Sequence, residues 1–178
     1  MRHTISKLIA DITRFVCRVN VPYSQKQMSF ARCQEIVRRS RPTDLILLRT
    51  EGELTTLIQG QKWTHSVPVS YFEETIEAVT SGVRRVSLMY VLARCDEAIL
   101  LRPRKEVTQF LFCQFLNAQI GEPYDFEFSD SDSKWYCHHL SAWAYLASSE
   151  IKIEKIKTAL GFKFMPESFL NEEFEIIC

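Results

Sequence analysis

The sequence has little glycine and proline, no excess charge of either sign and no long apolar run. Five glycines and six prolines in 178 residues exclude low-complexity, collagen-like and linker-dominated chains. The 22 basic and 22 acidic residues cancel, which argues against a protein that wraps nucleic acid. No apolar stretch approaches the roughly 18 residues that a membrane span needs. The 46% hydrophobic content predicts one globular unit of common size.

Several short functional motifs are also missing. There is no GxGxxG, no phosphate-binding Walker loop, no HExxH and no GxSxG. The six cysteines are irregularly spaced without a CxxC pair, so neither a disulfide framework nor a zinc knuckle is indicated. Asp11 and Arg14 interrupt what would be the apolar core of a secretory signal. We therefore expect reduced thiols, no cofactor and a cytoplasmic location.

Charge is unevenly distributed along the chain. Residues 1–50 carry ten Lys and Arg against three Asp and Glu, and the remaining residues balance this excess. Apolar residues at helical spacing over 4–19, with charged and mainly basic residues opposite, predict an amphipathic helix. Such a helix could make peripheral membrane contact through residues 1–20. Packing on its own domain is the commoner use of an apolar face.

The order of the predicted elements is helices, then strands, then helices, which is typical of an α+β protein rather than a βαβ nucleotide-binding sheet. Helices are predicted over 24–39, 105–119, 134–148 and 150–160, the last ending at Gly161, with a helical turn at 165–170. Strands are predicted at 44–48, 83–87, 97–101 and 173–177, and a hairpin pairs 64–71 with 75–79 around residues 72–74. Residues 53–59 fit a strand or a short helix. We interpret residues 1–40 as a helical extension and 41–178 as the main domain of one structural unit.

Cys137 is the cysteine best placed for chemistry. It follows a cluster of potential N-caps, residues 129–133, and lies in the first turn of the helix predicted over 134–148. Unpaired N–H groups and the helix dipole favour a thiolate there and can stabilise an oxyanion. Most of the other cysteines lie where packing explains them, and packing is also the alternative for Cys137.

His65 and Glu77 are candidate partners for this thiol. His65 opens a predicted strand, where a neutral imidazole could accept the thiol proton and later return it. Glu77 lies 12 residues further on, in the returning strand. The two share a sheet face if the hairpin loop has an odd number of residues, whereas an even loop without a bulge separates them. A semi-buried structural histidine and a surface carboxylate are the alternatives.

Two more histidines, His138 and His139, follow Cys137 directly. Neighbours on a helix point about 100° apart, so the three side chains cannot converge on one metal without help. We therefore expect no metal site. One of the two, for which we take His138, could line a substrate pocket, and a half-exposed position is the alternative for both.

Read together, these segments resemble the permuted papain-like cysteine hydrolases of the YiiX/YebB-like group. That group is related to bacterial cell-wall peptidases and to lecithin–retinol acyltransferase-like enzymes. The resemblance covers about residues 40–170, and histidine precedes cysteine, which reverses the order in papain. It is carried by an ordered set of segments: Thr43-Asp44, Thr64-His65, Ile76-Glu77-Ala78, Leu101-Arg102-Pro103, Gly121-Glu122-Pro123-Tyr124-Asp125 and Tyr136-Cys137.

The resemblance implies a circularly permuted papain-like fold, with a small antiparallel sheet packed against helices. It implies Cys137 as the nucleophile and the source of one backbone oxyanion donor, His65 as the general base and Glu77 as the orienting residue. It also implies a substrate pocket to which we assign Tyr124, Tyr136 and His138.

The sequence departs from the family pattern at three places. Thr43 stands where glycine is usual, and Ser66-Val67-Pro68 replaces a glycine-containing stretch. Pro68 also removes a strand donor. His138-His139 stands where Ser-Glu is common. The presumed triad is retained, while the residues beside Cys137 are altered.

The implied reaction is hydrolysis of an amide or ester bond through an acyl-enzyme. The substrate could be a peptide, an isopeptide or a lipid ester, because a fold does not fix a substrate. One alternative is a lipid-directed acyltransferase or thioesterase that uses the same triad. The other is a catalytically silent binding domain that kept the fold.

Overall fold

The computed structural model describes residues 11–12, 27–50, 61–129, 131–158 and 161–178. Residues 11–12 are helical, and the rest of the helix predicted over 4–19 lies outside the described residues, as does the ambiguous segment 53–59. The described part is α+β, as the sequence predicts, with an antiparallel sheet packed against helices. Within it, no helix is long and apolar enough to cross a membrane.

Eight strands and four α-helices make up the described part. The helices are α1 (Phe30–Arg39), α2 (Leu88–Leu92), α3 (Gln109–Ala118) and α4 (Cys137–Leu146). The strands are β1 (Leu45–Arg49), β2 (His65–Tyr71), β3 (Glu74–Val79), β4 (Gly82–Ser87), β5 (Glu97–Pro103), β6 (Ile156–Thr158), β7 (Gly161–Lys163) and β8 (Phe174–Ile176). Six of them form one antiparallel sheet in the order β4-β3-β2-β1-β5-β8, and β6 pairs with β7.

Three predicted helices begin later than their patterns suggested, among them the helix predicted from residue 105, which starts at Gln109. The helix predicted from residue 24 starts at Phe30, where the Ser29 hydroxyl caps it by accepting from the Arg32 N–H. The helix predicted from residue 134 starts at Cys137, and its N-cap is Tyr136. The serine-rich cluster 129–133 therefore does not cap α4, although Cys137 still lies in the first turn.

The helix predicted over 150–160 is wrong. Residues 151–155 have no regular structure, and β6 and β7 follow, with Gly161 opening β7 at a φ of 95° instead of ending a helix. Ile151 and Ile153 are buried while Lys152 and Glu154 are exposed. Burial of every second residue is typical of an extended chain. Burying Ile151 and Ile153 in this way outweighed the helical propensity of the same residues. The helical turn at Pro166–Phe169 and the edge strand β8 agree with the prediction.

The sheet separates two apolar cores. Leu45 and Leu47 point towards α3, α4 and the carboxy-terminal segment, whereas Ile46 and Leu48 point towards α1 and α2. Because both faces of β1 are covered, it reads as a continuous apolar run rather than an alternating one. The sheet therefore has α3 and α4 on one face and α1 and α2 on the other.

The hairpin of β2 and β3 has a two-residue turn and a bulge. Residues 72–73 form the turn, Tyr71 lies opposite Glu74, and the register shifts so that Val69 lies opposite Thr75. The bulge adds one residue, so positions of equal parity pair beyond it and residues 65 and 77 share a face. The two-residue turn alone would place residues 65 and 77 on opposite faces of the sheet. The bulge between Val69 and Tyr71 restores the shared face.

Thr43 is held in a backbone conformation that glycine adopts more easily. Its φ is 77°, its N–H donates to the Val69 carbonyl, and its own carbonyl accepts from the Tyr145 hydroxyl. A β-branched residue at positive φ is strained. This is the position where the family resemblance implies glycine.

We predict that Thr43→Gly stabilises the protein by roughly 1 kcal/mol, because relief of strain exceeds the entropy that glycine adds to the unfolded chain. Urea unfolding followed by circular dichroism measures the change. Thr108→Gly is the matched control, since Thr108 has a φ of −70° and caps no helix through its side chain. The control should be destabilised, and a loss of stability in both variants would contradict the prediction.

Candidate active site

The structure brings His65 and Glu77 into contact at the open end of the sheet. His65 is the first residue of β2 and Glu77 lies in β3, and His65 Nε2 is 3.2 Å from Glu77 Oε2. By extension of the register, Glu77 lies opposite Val67, which makes His65 its diagonal neighbour, within reach of long side chains. Since the carboxylate engages Nε2, the other ring nitrogen, Nδ1, is left for a second partner.

Glu77 is a fully buried carboxylate surrounded by cations. Arg84, its cross-strand neighbour on β4, donates to Oε1 through Nε and Nη2 at 3.0 and 2.8 Å. Arg94, two residues after the end of α2, donates through Nη2 at 3.3 and 3.4 Å. Burial opposes ionisation, but His65 and the two arginines outweigh it and lower the pKa of Glu77 from 4.5 to about 2. The carboxylate is therefore charged at neutral pH.

Cys137 approaches from the opposite face of the sheet. It is the first residue of α4 and is almost completely buried, with 6% of its surface exposed. The first N–H groups of a helix have no partner within that helix, so the backbone there can donate to a developing oxyanion. The imidazoles of His65 and His138 are the neighbouring groups that interact most strongly with the Cys137 thiol.

The charges of the site support one another. Burial opposes ionisation of the thiol, but His138 and His65 outweigh it and hold the pKa of Cys137 well below its usual value. Burial would likewise lower the pKa of His65, but the Cys137 thiolate and Glu77 raise it to about 10. At neutral pH the pair is a thiolate and an imidazolium, the reactive form of a cysteine nucleophile.

A chain of hydrogen bonds fixes the orientation of His138. The Ser141 hydroxyl donates to the Cys137 carbonyl at 3.0 Å, so it can only accept from the Ser66 hydroxyl, 2.9 Å away. Ser66 has then used its single proton and accepts from His138 Nδ1 at 2.9 Å. Nδ1 of His138 is therefore the donor to Ser66, and Nε2 is the ring nitrogen that these serines leave unused.

The expectation of half-exposed histidines after Cys137 is wrong for both. His138 is 5% exposed and His139 is fully buried. The His139 ring packs between the rings of Trp135, Tyr136 and Phe164. Because α4 is buried on nearly all sides, its second and third residues point into the protein rather than to solvent.

A cleft with a volume of about 330 Å³ opens beside the thiol. The three candidate catalytic residues line it, as do Tyr124, Tyr136 and His138. The Tyr136 hydroxyl accepts from the Phe164 N–H at 3.1 Å, so this tyrosine presents its ring rather than its hydroxyl to the cleft. The lining includes several aromatic and apolar side chains: Tyr124, Phe128, Tyr136, Phe164 and Met165.

Sequence reasoning missed the two arginines and the serine chain. Arg84 had a usable signal, because a two-residue turn at residues 80–81 places residue 84 directly opposite Glu77. Arg94 had none, since it reaches Glu77 from a turn in another part of the chain. Ser66 and Ser141 are 75 residues apart, and only the packing of α4 on β2 brings them together.

The chain belongs to the family described as permuted papain-like amidase enzymes, YaeF/YiiX, C92 family, whose model matches residues 39–172. The fold is also similar to that of the metalloprotein YiiX from Escherichia coli O157:H7. The TM-score is 0.67 and the identity is 18%, covering 79% of this chain and 97% of that chain. No curated protein sequence matches significantly. The family supports a cysteine-hydrolase type of activity, and the fold is the permuted papain-like fold that the sequence resemblance implied.

YiiX is described as a metalloprotein. In the described part of this chain, no three or more His, Cys, Asp or Glu side chains are grouped so that they could hold a metal ion.

We predict that iodoacetamide alkylates Cys137 at a nearly constant rate between about pH 6 and 8, because the thiol is already ionised. Burial raises the pKa values of Cys33, Cys95 and Cys113, so these thiols should react slowly. His65→Ala and His138→Ala each remove a neighbour that lowers the Cys137 pKa, and each should slow labelling at pH 6 about tenfold or more.

Time-resolved peptide mass spectrometry reports each cysteine separately. Cys113→Ser is the control and should leave the Cys137 rate unchanged. Uniform labelling of all cysteines, insensitive to both histidine substitutions, would show that the thiol is not activated and would favour a silent domain.

A second prediction concerns stability in acid. Glu77 has a lower pKa in the folded state than in the unfolded state, so its stabilising effect is complete above about pH 4.5 and declines as the pH falls towards 2. The shift corresponds to about 3 kcal/mol of unfolding free energy. Glu77→Gln should therefore be less stable than the wild type at pH 6, and this difference should shrink by about that amount near pH 2.

Urea unfolding at several pH values measures this difference. Glu175→Gln is the matched control, because Glu175 is 43% exposed and pairs with Arg104 at 3.7 Å. The control should stay within about 1 kcal/mol of the wild type throughout. A Glu77→Gln difference that does not vary with pH would mean that the carboxylate is not held ionised.

Proposed function

We propose that this member of the permuted papain-like amidase family is a thiol hydrolase that cleaves an amide or ester bond through Cys137, His65 and Glu77. The observation that carries the proposal is the position of His65. Its imidazole contacts a buried ionised carboxylate at 3.2 Å and interacts electrostatically with the Cys137 thiol, whose pKa it lowers. This is the geometry of a nucleophile, a base and a residue that orients the base.

In the first half of the reaction, the Cys137 sulfur attacks the carbonyl carbon of the substrate. The carbonyl electron pair moves to oxygen, where the backbone N–H of Cys137 stabilises the negative charge. His65 then donates its Nδ1 proton to the leaving amine or alcohol as the tetrahedral intermediate collapses. The products of this half are an acyl-enzyme thioester, the released amine or alcohol, and neutral His65.

In the second half, neutral His65 accepts a proton from water, which attacks the thioester carbonyl. Collapse of this intermediate releases the carboxylic acid and restores the thiolate and imidazolium. Glu77 keeps the ring oriented throughout and favours its charged form, while Arg84 and Arg94 keep Glu77 ionised. None of these three residues has to change its own protonation state.

Tyr124, Tyr136 and His138 are proposed to contact the substrate. The two tyrosine rings would bind its apolar part, because the Tyr136 hydroxyl already has a partner in the Phe164 N–H. His138 offers Nε2 beside the thiol and would position the sulfur and the reacting carbonyl. Its fixed Nδ1 proton restricts it to this one orientation.

A lipid-directed acyl transfer with the same triad is the second candidate, and the aromatic side chains that line the cleft favour it by suiting an alkyl chain. It differs only in the acceptor, an amine in place of water. A cytoplasmic location and peripheral membrane contact through residues 1–20 belong to the same proposal. Vesicle flotation of the full chain against a chain lacking residues 1–20 tests that contact.

The expected activity is hydrolysis of fluorogenic amides, isopeptides or lipid esters. Cys137→Ala should lower kcat/KM by at least about 10³-fold, and Glu77→Gln by about 10²-fold, since the base keeps its place but loses its orienting charge. Intact mass spectrometry of a quenched reaction should show the acyl group added to the wild type and absent from Cys137→Ala.

Cys95→Ser is the control for loss of a buried cleft thiol and should retain activity. Full activity in Cys137→Ala would overturn the proposal. Absence of turnover across the panel, together with binding of the same compounds, would support the silent binding domain instead.

A further inference from the structure

We propose that Arg84 and Arg94 form an anion subsite in the cleft, and that the substrate carries a carboxylate or phosphate group near the bond that is cleaved. The inference rests on the proposed hydrolase function and extends it to a class of substrate. Its basis is the surplus of positive charge in the cleft and the partial exposure of the two arginine side chains.

The charges lining the cleft do not cancel. The thiolate of Cys137 is balanced by the imidazolium of His65, and Glu77 balances one of the two arginines. One positive charge remains among these five side chains. Among the described residues that line the cleft, Glu77 is the only carboxylate, and it is fully buried. Apart from Glu77, whose charge the arginines and His65 offset, no acidic side chain in this lining repels an incoming anion, and the low-dielectric wall strengthens the attraction.

The guanidinium group of each arginine is held by hydrogen bonds and is also partly exposed to solvent. Arg84 bonds Glu77 through Nε and Nη2, and Arg94 bonds the Tyr90 carbonyl through Nε and Glu77 through Nη2. The Tyr90 side chain is a further partner of Arg84. Among the described residues, no hydrogen bond involves Nη1 of Arg94, which carries two N–H donors. The side chains are 38% and 44% exposed, which leaves these donors accessible.

The guanidinium groups are also held in place by an aromatic ring. Tyr90 lies 5.9 Å from the Arg84 guanidinium carbon and 4.4 Å from that of Arg94, measured to the ring centroid. Planar groups fixed in this way lose little conformational entropy when a carboxylate or phosphate binds. Thr80 and Ser81 add hydroxyl groups to the same cleft.

A purely structural role would also explain why arginines surround Glu77. In that case, replacing either arginine would slow every reaction of Cys137 by the same factor, because only the charge and orientation of the triad would change. An anion subsite predicts a selective effect instead. The informative measurement is therefore a ratio of two rates within each variant.

Alkylation provides this ratio without a natural substrate. Iodoacetate and iodoacetamide are close in size and differ in charge. The rate ratio of iodoacetate to iodoacetamide at Cys137 should exceed that of glutathione at least about fivefold, and should fall by at least about threefold in Arg84→Gln and in Arg94→Gln. Raising the salt from about 0.05 to 0.5 M should reduce the wild-type ratio.

Arg85→Gln is the matched control. Arg85 is the next residue on β4 and is 42% exposed, but it pairs with Glu74 and does not line the cleft. The control should keep the wild-type ratio. A ratio that is the same in the wild type and both cleft variants would overturn the anion subsite, even if both absolute rates fall.

Matched substrates distinguish the two sources of the anion. Three amides or esters with the same acyl group would carry a carboxamide, a carboxylate or a phosphate monoester on the leaving group. The preferred anion should have a KM at least about fivefold lower than the carboxamide, and Arg94→Gln should remove that preference. Equal turnover of all three, unaffected by the arginines, would leave the hydrolase proposal standing and eliminate the subsite. No turnover of any, with the alkylation ratio as predicted, would leave the subsite and eliminate the hydrolase.

Discussion

The fully buried carboxylate of Glu77 is the constraint on which the rest of the site depends. An ionised carboxylate inside a protein is unfavourable unless cations and hydrogen bonds replace its water. Here the replacements come from three places: His65 on β2, Arg84 on β4 and Arg94 after α2. The carboxylate of Glu77, on β3, therefore binds side chains from the strands on both sides of it, β2 and β4, and from the turn that follows α2. Without it, two arginines and a histidine would face one another with like charge.

The thiol depends on this arrangement indirectly. Glu77 favours the imidazolium of His65, and the imidazolium favours the thiolate of Cys137, so an effect at the carboxylate is transmitted to the nucleophile through one ring. His138 acts on the thiol from a different direction and is anchored by Ser66 rather than by Glu77. The sulfur is thus influenced by two independently supported imidazoles, which accounts for its acidity despite its burial.

Much of this arrangement could be predicted from sequence, and the failures have physical reasons. The six strands of the main sheet follow from apolar runs and turn residues, whereas β6 and β7 lie where a helix was predicted. Cys137 lies in the first turn of a helix as predicted, although the predicted capping cluster does not cap that helix. The shared face of His65 and Glu77 could be posed only as a condition, because a bulge between Val69 and Tyr71 is not visible in a residue pattern. The helix predicted over 150–160 failed because local propensity competes with alternation in Ile151 and Ile153. Contacts such as Arg94 with Glu77 depend on tertiary packing, for which a single sequence has no periodic signal.

The separation of the site along the chain has a consequence for the newly made protein. His65 and Glu77 belong to one hairpin, while Cys137 arrives on a helix that must dock on the other side of the sheet. Before that docking, the sulfur is an ordinary cysteine with a pKa of about 8.5 and is mostly protonated. During synthesis Cys137 emerges after His65 and Glu77. The low pKa of the thiol therefore depends on that docking, because the His65 imidazole reaches Cys137 only in the folded structure.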